Sequence, residues 1–454
     1  MTGGHATQRP RRRHGRHHFI VVWGVTSVLL VAMMAAWSLS TPVPSGPDEP
    51  AQYVAAAGMA HGSLYGRPAA GVTRAFTLPG TFTNLYSSPA GCYYGKPAVP
   101  AGCTYLRGSF PQEETVGTYV PNYSPLYYGL TGLPSLVSSQ FWALRAMRLV
   151  SVVIVALLLG LALAAAVVWS RMPWLVVGVA VAITPLALYL GAVINPSGME
   201  IAGAIAAWTT LVALVFTRSG DPPAGLVWAW GVGSSAFILS RPLSPLFFLC
   251  VVAGVVAFRP RRALVLARFR SVRRAASVTA ALVVGQLLYE LANKGFAEEK
   301  FLLPPGTSIR TIVTLILGLI PKLARGTIGG YGSPDTAAPP VVVIVWFFAA
   351  ALLVGAVVVA ARRREVVLLG LIVVATLVIV PSAADLYSAR SIGLDWQGRY
   401  GLPLAVGIPI LAAAVLGERR VRLGGVPAVL FSSLAVGQLV SWYWVLRRYT
   451  VGLG

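Results

Sequence analysis

The sequence predicts an all-α integral membrane protein with about 11 transmembrane helices and a large extracytoplasmic first loop. Its composition is 56% hydrophobic and 11% charged, with a mean hydropathy of +0.73. A chain of this composition would expose too much apolar surface to remain soluble. Several apolar runs approach or exceed the roughly 20 residues that a helix needs to cross a bilayer. Basic residues fall in short clusters between these runs, as they do in membrane proteins.

The apolar runs define the predicted spans. The first run is interpreted as a retained anchor, because it is long and lacks a small-x-small cleavage site before Pro42. The stretch 123–140 is predicted to be re-entrant or juxtamembrane, since it is short and contains Pro and Gly. A rival reading, in which 123–140 crosses and 224–258 forms one span, places Asn195 on the cytoplasmic side. The predicted spans are 19–40, 148–170, 173–194, 198–217, 224–240, 243–258, 275–292, 339–361, 366–382, 402–417 and 424–446.

The basic clusters predict the orientation of the chain. They should all be cytoplasmic, so an even number of spans must separate each cluster from the next. Eleven spans satisfy this rule and place 20 basic and 3 acidic residues inside, against 16 basic and 11 acidic residues outside. The N-terminus is then cytoplasmic and the C-terminus extracytoplasmic in a multi-pass plasma-membrane protein. The clusters are 1–18, 258–274, 362–365 and 418–422.

The same reasoning predicts the domain organisation. Residues 1–18 form a cytoplasmic basic tail, and 19–454 form a single polytopic membrane domain. Extracytoplasmic loops are predicted at 41–147 and 293–338. The net charge of +22 does not indicate nucleic-acid binding, because the basic residues are scattered between apolar runs.

Two of the three cysteines lie in the predicted first outer loop. Cys92 and Cys103 are predicted to form a disulfide, since outward-facing cysteines are oxidised. Cys250 falls within a span. A metal site is the weaker interpretation of the pair, because all five histidines lie elsewhere in the sequence.

Two adjacent carboxylates follow the first span in the sequence PSGPDEPAQY. Pro50 near the start of a helix makes Asp48 a candidate N-cap, which is the simplest interpretation. The alternative is that Asp48 and Glu49 are catalytic carboxylates at the outer membrane surface. Glu200, in NPSGMEIA, begins an otherwise apolar helix, where a carboxylate is costly unless it has a partner.

Other polar side chains recur at the predicted outer ends of spans. Tyr123 lies in VPNYSPLYYGL, Asn195 in a tight turn between two spans, and Arg241 interrupts apolar sequence in SRPLSP. Arg399 and Tyr400 immediately precede a span in DWQGRYGLP. For both arginines, the alternative to ligand binding is a carboxylate partner or snorkelling to the interface. These positions together predict a functional surface on the outer face.

Six of these segments resemble one family when taken in order. PDEPAQY, the loop between the two cysteines, YSPLYYGLTGLPSL, NPSGMEIA, SRPLSPL and QGRYGLPL occur between about residues 40 and 410. Their order and spacing resemble the actinobacterial polytopic membrane proteins known as domain of unknown function 2142. That resemblance implies an architecture more than an activity.

A looser resemblance is to glycosyltransferases of the GT-C fold, such as protein O-mannosyltransferases and lipid A aminoarabinose transferases. Those enzymes carry an acidic residue early in a large outer loop. The resemblance implies that Asp48, beside Glu49, is the base in sugar transfer from a polyprenyl-phosphate donor to an envelope glycan or lipid acceptor. It further implies that Arg399 and Arg241 bind phosphate, with the other polar side chains lining the site: Tyr400, Tyr123, Asn195 and Glu200.

The sequence departs from the GT-C pattern at two places. Ser197 stands where those enzymes often have Asp, and the Pro-rich aromatic segment lacks their basic residue or histidine. No cofactor is implied with certainty, although Asp48, Glu49 and Glu200 offer oxygen ligands for Mg²⁺ or Mn²⁺. Two other functions stay open. Interrupted spans around Arg241 suit a transporter or flippase of a lipid-linked precursor, and the altered turn permits a non-catalytic partner in envelope assembly.

Overall fold

The computed structural model describes most of the chain, apart from 14 short stretches. Side chains are described from residue 17 onward, so most of the predicted basic tail lies outside the described part. Residues 293–306 of the second predicted loop, and Asp395, also lie outside it. The described residues are 10–69, 74–85, 92–103, 110, 112–120, 123–170, 172–217, 221–292, 307–332, 335–389, 393–394, 396–422 and 424–453.

Helices form nearly all of the regular structure, as predicted for an all-α membrane protein. Within the described residues, five short strands make two small antiparallel sheets: β1 (Arg67–Pro68), β2 (Arg74–Pro79) and β3 (Glu113–Thr118), then β4 (Gly330–Tyr331) and β5 (Thr336–Ala337). The helices are α1 (Pro10–Ser40), α2 (Glu49–Ala60), α3 (Gly80–Thr83), α4 (Pro125–Gly132), α5 (Phe141–Val168), α6 (Pro173–Ala182), α7 (Pro185–Gly191), α8 (Pro196–Phe216), α9 (Ala224–Ile238), α10 (Ser244–Phe258), α11 (Pro260–Leu266), α12 (Arg270–Ala292), α13 (Ile309–Gly326), α14 (Pro340–Ala360), α15 (Arg363–Val374), α16 (Val380–Ser388), α17 (Gly398–Ala405), α18 (Gly407–Glu418) and α19 (Val426–Thr450).

Eight helical stretches within the described residues are long and apolar enough to cross a membrane, so the chain is a multi-pass membrane protein. The pair α6 and α7, bent by 65°, is a ninth candidate. The predicted count of eleven also includes α9 and α10, which have 15 residues each. A 15-residue helix is about 22 Å long, shorter than the roughly 30 Å hydrocarbon core. The eight are His17–Ser40, Phe141–Val168, Pro196–Phe216, Arg270–Ala292, Pro340–Ala360, Arg363–Ser388, Gly398–Glu418 and Val426–Thr450.

The stretch 123–140 does not cross the bundle. It folds as the eight-residue helix α4 followed by one 3-10 turn, Leu133–Leu136. An eight-residue helix is about 12 Å long, which is too short to span a bilayer. Helix α4 packs instead on α2, where Gly132 lies so close that an added Cβ would be 2.0 Å from the Ala56 carbonyl oxygen.

Helix α8 connects two chemically different ends of the bundle. At its start, the Ser197 hydroxyl accepts a hydrogen bond from Arg241. At its end, the Arg259 guanidinium lies 4.9 Å from the centre of the Phe216 ring. Arg241 and Arg259 flank α10, so α10 runs between the same two ends as α8. Whether 224–258 makes one crossing or two stays a prediction.

The basic end holds an ion-pair network. Arg259 pairs with both Glu365, at 2.5 Å, and Glu418, and Arg419 pairs with Glu365 at 2.6 Å. These residues come from three separate basic clusters, and all three clusters were predicted to share one side of the membrane. They do meet at one end of the bundle.

The opposite end, here called the loop end, holds the segment 41–147. Cys92 and Cys103 form the predicted disulfide, and the loop that it closes packs against the last helix. Arg448, at the end of α19, donates hydrogen bonds to the carbonyl oxygens of Val99 (2.7 Å) and Tyr93 (2.9 Å). It also pairs with Asp335 at 3.0 Å. The end of α19 is thereby fixed at the loop end.

Removing the disulfide should loosen this contact. The double variant Cys92→Ser/Cys103→Ser is expected to lose about 3 kcal/mol of unfolding free energy, since a short loop of the unfolded chain is no longer constrained. The thermal unfolding midpoint of the purified protein in detergent measures this loss. Cys250→Ser, which removes the free cysteine, is the control. Equal midpoints for the double variant and the control would contradict the expectation.

Candidate functional site at the loop end

The Asp48 side chain does not cap α2. Its backbone adopts the left-handed conformation, with φ at 56°, which costs energy for a non-glycine residue and is found at functional sites. No hydrogen bond from an α2 N–H group reaches the carboxylate. Asp48 thus stands at the N-cap position without the predicted side-chain cap, and its side chain, 38% exposed, is available for other contacts.

The Asp48 carboxylate instead bridges two distant parts of the chain. Its Oδ2 lies 2.6 Å from the Arg399 guanidinium, 351 residues away in sequence. Its Oδ1 accepts a hydrogen bond of 3.0 Å from the Tyr119 hydroxyl. Arg399 is 7% exposed and also donates to the Tyr400 hydroxyl at 3.1 Å. The two residues predicted as base and phosphate ligand are thus in direct contact.

Glu49 lies in a different environment although it follows Asp48 directly. It is fully buried, and its two oxygens accept hydrogen bonds from Arg148, at 2.7 and 2.6 Å. The backbone N–H groups of Gly46 (2.8 Å) and Ile194 (3.1 Å) complete its shell. Four donors leave no contact free for a substrate. The geometry makes Glu49 a structural ion-pair partner and not the second catalytic carboxylate that we predicted.

A second ion pair lies beside the first. Arg241 approaches Glu200 at 3.7 Å and donates to the Ser197 hydroxyl at 3.3 Å. Glu200 is buried and accepts a hydrogen bond of 2.7 Å from the Ser244 hydroxyl. Burial lowers the pKa of Arg241, but Tyr123 and Glu200 outweigh it, so this pKa lies above its ordinary value. Arg241 is therefore a permanent cation whose side chain is 16% exposed.

The Tyr400 ring joins the two ion pairs into one cluster. The guanidinium carbon of Arg241 lies 4.5 Å from the ring centre, and that of Arg399 lies 5.0 Å from it. Tyr123 also contacts Arg241, at 5.6 Å from its ring centre. Burial raises the pKa of the Tyr123 hydroxyl above its ordinary value, so the phenol stays protonated at neutral pH. Two cations held beside one aromatic ring form a site suited to a phosphate group.

Asn195 positions this cluster without joining it. Its side-chain oxygen accepts a hydrogen bond of 2.9 Å from the Ser197 N–H and so caps α8. Its amide nitrogen donates to the Pro47 carbonyl oxygen at 2.9 Å. The residue is buried. Asn195 therefore holds the turn that carries Asp48 against the start of the helix that carries Glu200.

The three carboxylates considered as metal ligands do not come together. Asp48, Glu49 and Glu200 each face a different arginine. In the part of the chain that the structure describes, no group of three or more His, Cys, Asp or Glu residues is arranged to hold a metal ion. Arginines supply the positive charge in this cluster.

An apolar groove of about 530 Å³ opens next to the cluster, between α4, α9 and α12. The Tyr289 hydroxyl, in its wall, donates a 3.0 Å hydrogen bond to the Tyr123 carbonyl oxygen, so the groove leads to the residue that contacts Arg241. Most of its lining is aliphatic. The lining includes Ser124, Leu130, Leu239, Leu282, Gln286 and Tyr289.

Comparison with known protein families finds one family that the chain matches. A model of the family described as "Predicted membrane protein (DUF2142)" matches residues 30–408. The chain belongs to this family. The matched range of this DUF2142 protein contains every residue of the cluster and ends before α19, and the resemblance seen in the motifs is confirmed. No curated protein and no solved structure matches the chain.

Three residues of the DUF2142 site escaped the sequence analysis. Arg148 lies in the first turns of an apolar helix, where an intramembrane cation signals a partner such as Glu49. Ser244 follows the SRP turn and bonds Glu200. Tyr119, which bonds Asp48, directly follows strand β3 in the outer loop. Only Arg148 carried a signal that local sequence could have shown.

Proposed function

We propose that this protein transfers a sugar from a polyprenyl-phosphate donor to a cell-envelope acceptor at the outer face of the plasma membrane. The observation that carries the proposal is the contact of an exposed carboxylate, Asp48, with Arg399, whose guanidinium shares the Tyr400 ring with Arg241 beside an apolar groove. A base, a phosphate site and a path for a lipid chain are the parts that this reaction needs.

The proposal includes eleven spans in a GT-C-like arrangement, with a cytoplasmic N-terminus and an extracytoplasmic C-terminus. Its support is that successive passes join the basic end to the loop end. Phe19 in α1 stacks on Trp169 beyond α5, with ring centres 4.1 Å apart, and α19 ends against the disulfide loop. The positive-inside rule places the arginine-rich end in the cytoplasm. The Asp48 cluster then faces outward.

The chemistry assigned to the site is a substitution at the anomeric carbon. Asp48 accepts the proton of the acceptor hydroxyl as its oxygen bonds to that carbon, and the bond to the donor phosphate breaks. The leaving lipid phosphate takes the bonding electrons, and Arg399 and Arg241 balance its charge. Only Nη2 of Arg399 has a hydrogen-bond partner among the described residues. Its Nε and Nη1 are therefore free to bind phosphate oxygens.

The apolar groove suits the donor's isoprenoid chain. Its aliphatic walls offer the contacts that a hydrocarbon chain makes in lipid, and Ser124 in its lining directly follows Tyr123, which lies beside Arg241. A polyprenyl phosphate lying in the groove would bring its charged end to the two arginines. Arg241 and Arg399 would hold the phosphate close to Asp48.

The test is the formation of a covalent product. Membranes that contain the protein are given a donor pool carrying labelled sugar, and the label in extracted envelope acceptors is measured. Arg399→Gln is expected to lower the initial rate about 10²–10³-fold, the effect of removing one preorganised donor to a developing charge. Arg325→Gln, an exposed cation on the neighbouring helix α13, is the matched control. Label transfer that is equal in both variants would overturn the proposed role of Arg399.

A transporter of a lipid-linked precursor is the second candidate function. It is favoured by the 65° bend between α6 and α7 and by the interruption between α9 and α10 at Arg241, since broken helices often line substrate paths. A transporter would move the labelled donor across the membrane intact. Its activity would depend on Arg241 and would persist in Asp48→Asn.

A further inference from the structure

The basic end contains a concave site that the proposed transferase does not use. A pocket of about 510 Å³ lies between the α10–α11 turn, the start of α15 and the end of α18. Its charged lining comprises six arginines and two glutamates, so positive charges outnumber negative ones there by four. These residues are Arg259, Arg261, Arg262, Arg362, Arg364, Arg419, Glu365 and Glu418.

The two glutamates orient some of the arginines. Both bind Arg259, and Glu365 also binds Arg419. Arg419 nevertheless has a buried Nε–H without a hydrogen-bond partner among the described residues. Membrane orientation requires basic residues near this end, but it does not require three loops to meet around one pocket. A buried donor without an acceptor, in a pocket with excess positive charge, points to an anion.

Apolar side chains flank the pocket. Helix α11 follows directly from the Arg259 turn and exposes Leu264 (70%) and Val265 (41%). Exposed aliphatic side chains beside a cationic pocket match the boundary of a membrane, where headgroups and acyl chains adjoin. A soluble anion would not need this apolar flank.

We propose that this pocket binds the headgroup phosphates of an anionic glycerophospholipid in the leaflet that borders the basic end. Guanidinium groups from the three loops donate to phosphate oxygens, and the acyl chains lie along α11 and α12. Because each loop contributes to the same ligand, the bound lipid stabilises their mutual packing. This inference does not depend on sugar transfer.

The test is the thermal unfolding of the full chain in detergent, titrated with cardiolipin, with phosphatidylcholine as the neutral reference. Cardiolipin is expected to raise the unfolding midpoint of the wild type. The variant Arg261→Gln/Arg362→Gln should need at least roughly tenfold more lipid for the same rise, because charge-assisted hydrogen bonds are lost. Both residues are exposed and neither side chain forms an ion pair with Glu365 or Glu418; the Arg362 backbone N–H that bonds Glu365 is retained in the variant, so the fold should persist. Arg268→Gln/Arg270→Gln, which removes equal charge outside the pocket, should titrate like the wild type.

Two outcomes would overturn the inference. If the control variant loses the response as fully as the pocket variant, the effect is one of net charge and the pocket is not a site. If inorganic pyrophosphate, added without anionic lipid, raises the midpoint as much as cardiolipin does, the ligand is a soluble phosphate. If the double variant unfolds in phosphatidylcholine alone, the same titration is made with the single variant Arg362→Gln. Arg268→Gln is then its control, and the same two outcomes would overturn the inference.

Discussion

Asp48→Asn is expected to lower sugar transfer about 10²–10⁴-fold, the range for loss of a general base, while the protein accumulates and folds normally. Asparagine keeps the shape of the side chain and can still bond the Tyr119 hydroxyl, but it cannot take up the proton of the acceptor. The stability cost should be small, at about 1 kcal/mol or less, because the carboxylate is 38% exposed and its pairing with Arg399 is screened by solvent.

The measurement compares initial rates of label transfer in membranes with matched protein levels. Glu113→Gln, an exposed carboxylate on β3 in the same loop, is the control for a general loss of negative charge. Tyr119→Phe removes only the hydroxyl that orients Asp48 and should have a smaller effect than Asp48→Asn. Full transfer by Asp48→Asn would end the proposal that Asp48 is the base, and a transport role would then be favoured.

Glu49→Gln is expected to have the opposite profile, with a large loss of folded protein. The variant leaves Arg148 charged and fully buried, and breaking a buried ion pair by removing one partner costs about 3–5 kcal/mol. Arg148 also donates to the carbonyl oxygens of Ser38, Thr41 and Pro42. The pair therefore joins the end of α1, the start of α2 and the middle of the bundle.

Folded yield after detergent extraction, and the unfolding midpoint of what is recovered, measure this effect. Arg148→Met should be equally damaging. The double variant Glu49→Gln/Arg148→Met should be less harmful than the sum of the two single changes, because no unpaired charge remains. A Glu49→Gln protein that folds normally but transfers no sugar would contradict the structural role and return Glu49 to the catalytic group. Asp48→Asn is thus expected to affect sugar transfer and Glu49→Gln to affect folding, although the two residues are adjacent in the chain.

Much of the architecture was predictable because the relevant signals are local. Each predicted span coincides with a helix or a helix pair, since apolar runs of this length must satisfy their backbone hydrogen bonds internally. The Cys92–Cys103 pair was predicted from position in an outer loop. The lengths of α9 and α10 were overestimated at their ends, because hydropathy does not report where a turn such as that at Arg241 interrupts a helix.

The sequence predicted which residues form the candidate site, but it predicted the role of each residue less well. The structure does bring four of the predicted residues into one cluster: Asp48, Arg399, Arg241 and Tyr400. The adjacent carboxylates looked equivalent in the sequence, yet one is exposed and the other is bound by Arg148. Their difference depends on a partner about 100 residues away, and no local pattern contains that information.

The sequence by itself determined that this chain is a multi-pass helical membrane protein, where its apolar helices lie along the chain, and which loops carry polar side chains. These properties follow from hydropathy and charge summed over neighbouring residues. Only the tertiary structure decided which carboxylate meets which arginine, and hence which acidic residue is available for chemistry. A buried charge must find its counter-charge in space, and the packing of helices that are distant in sequence sets that pairing.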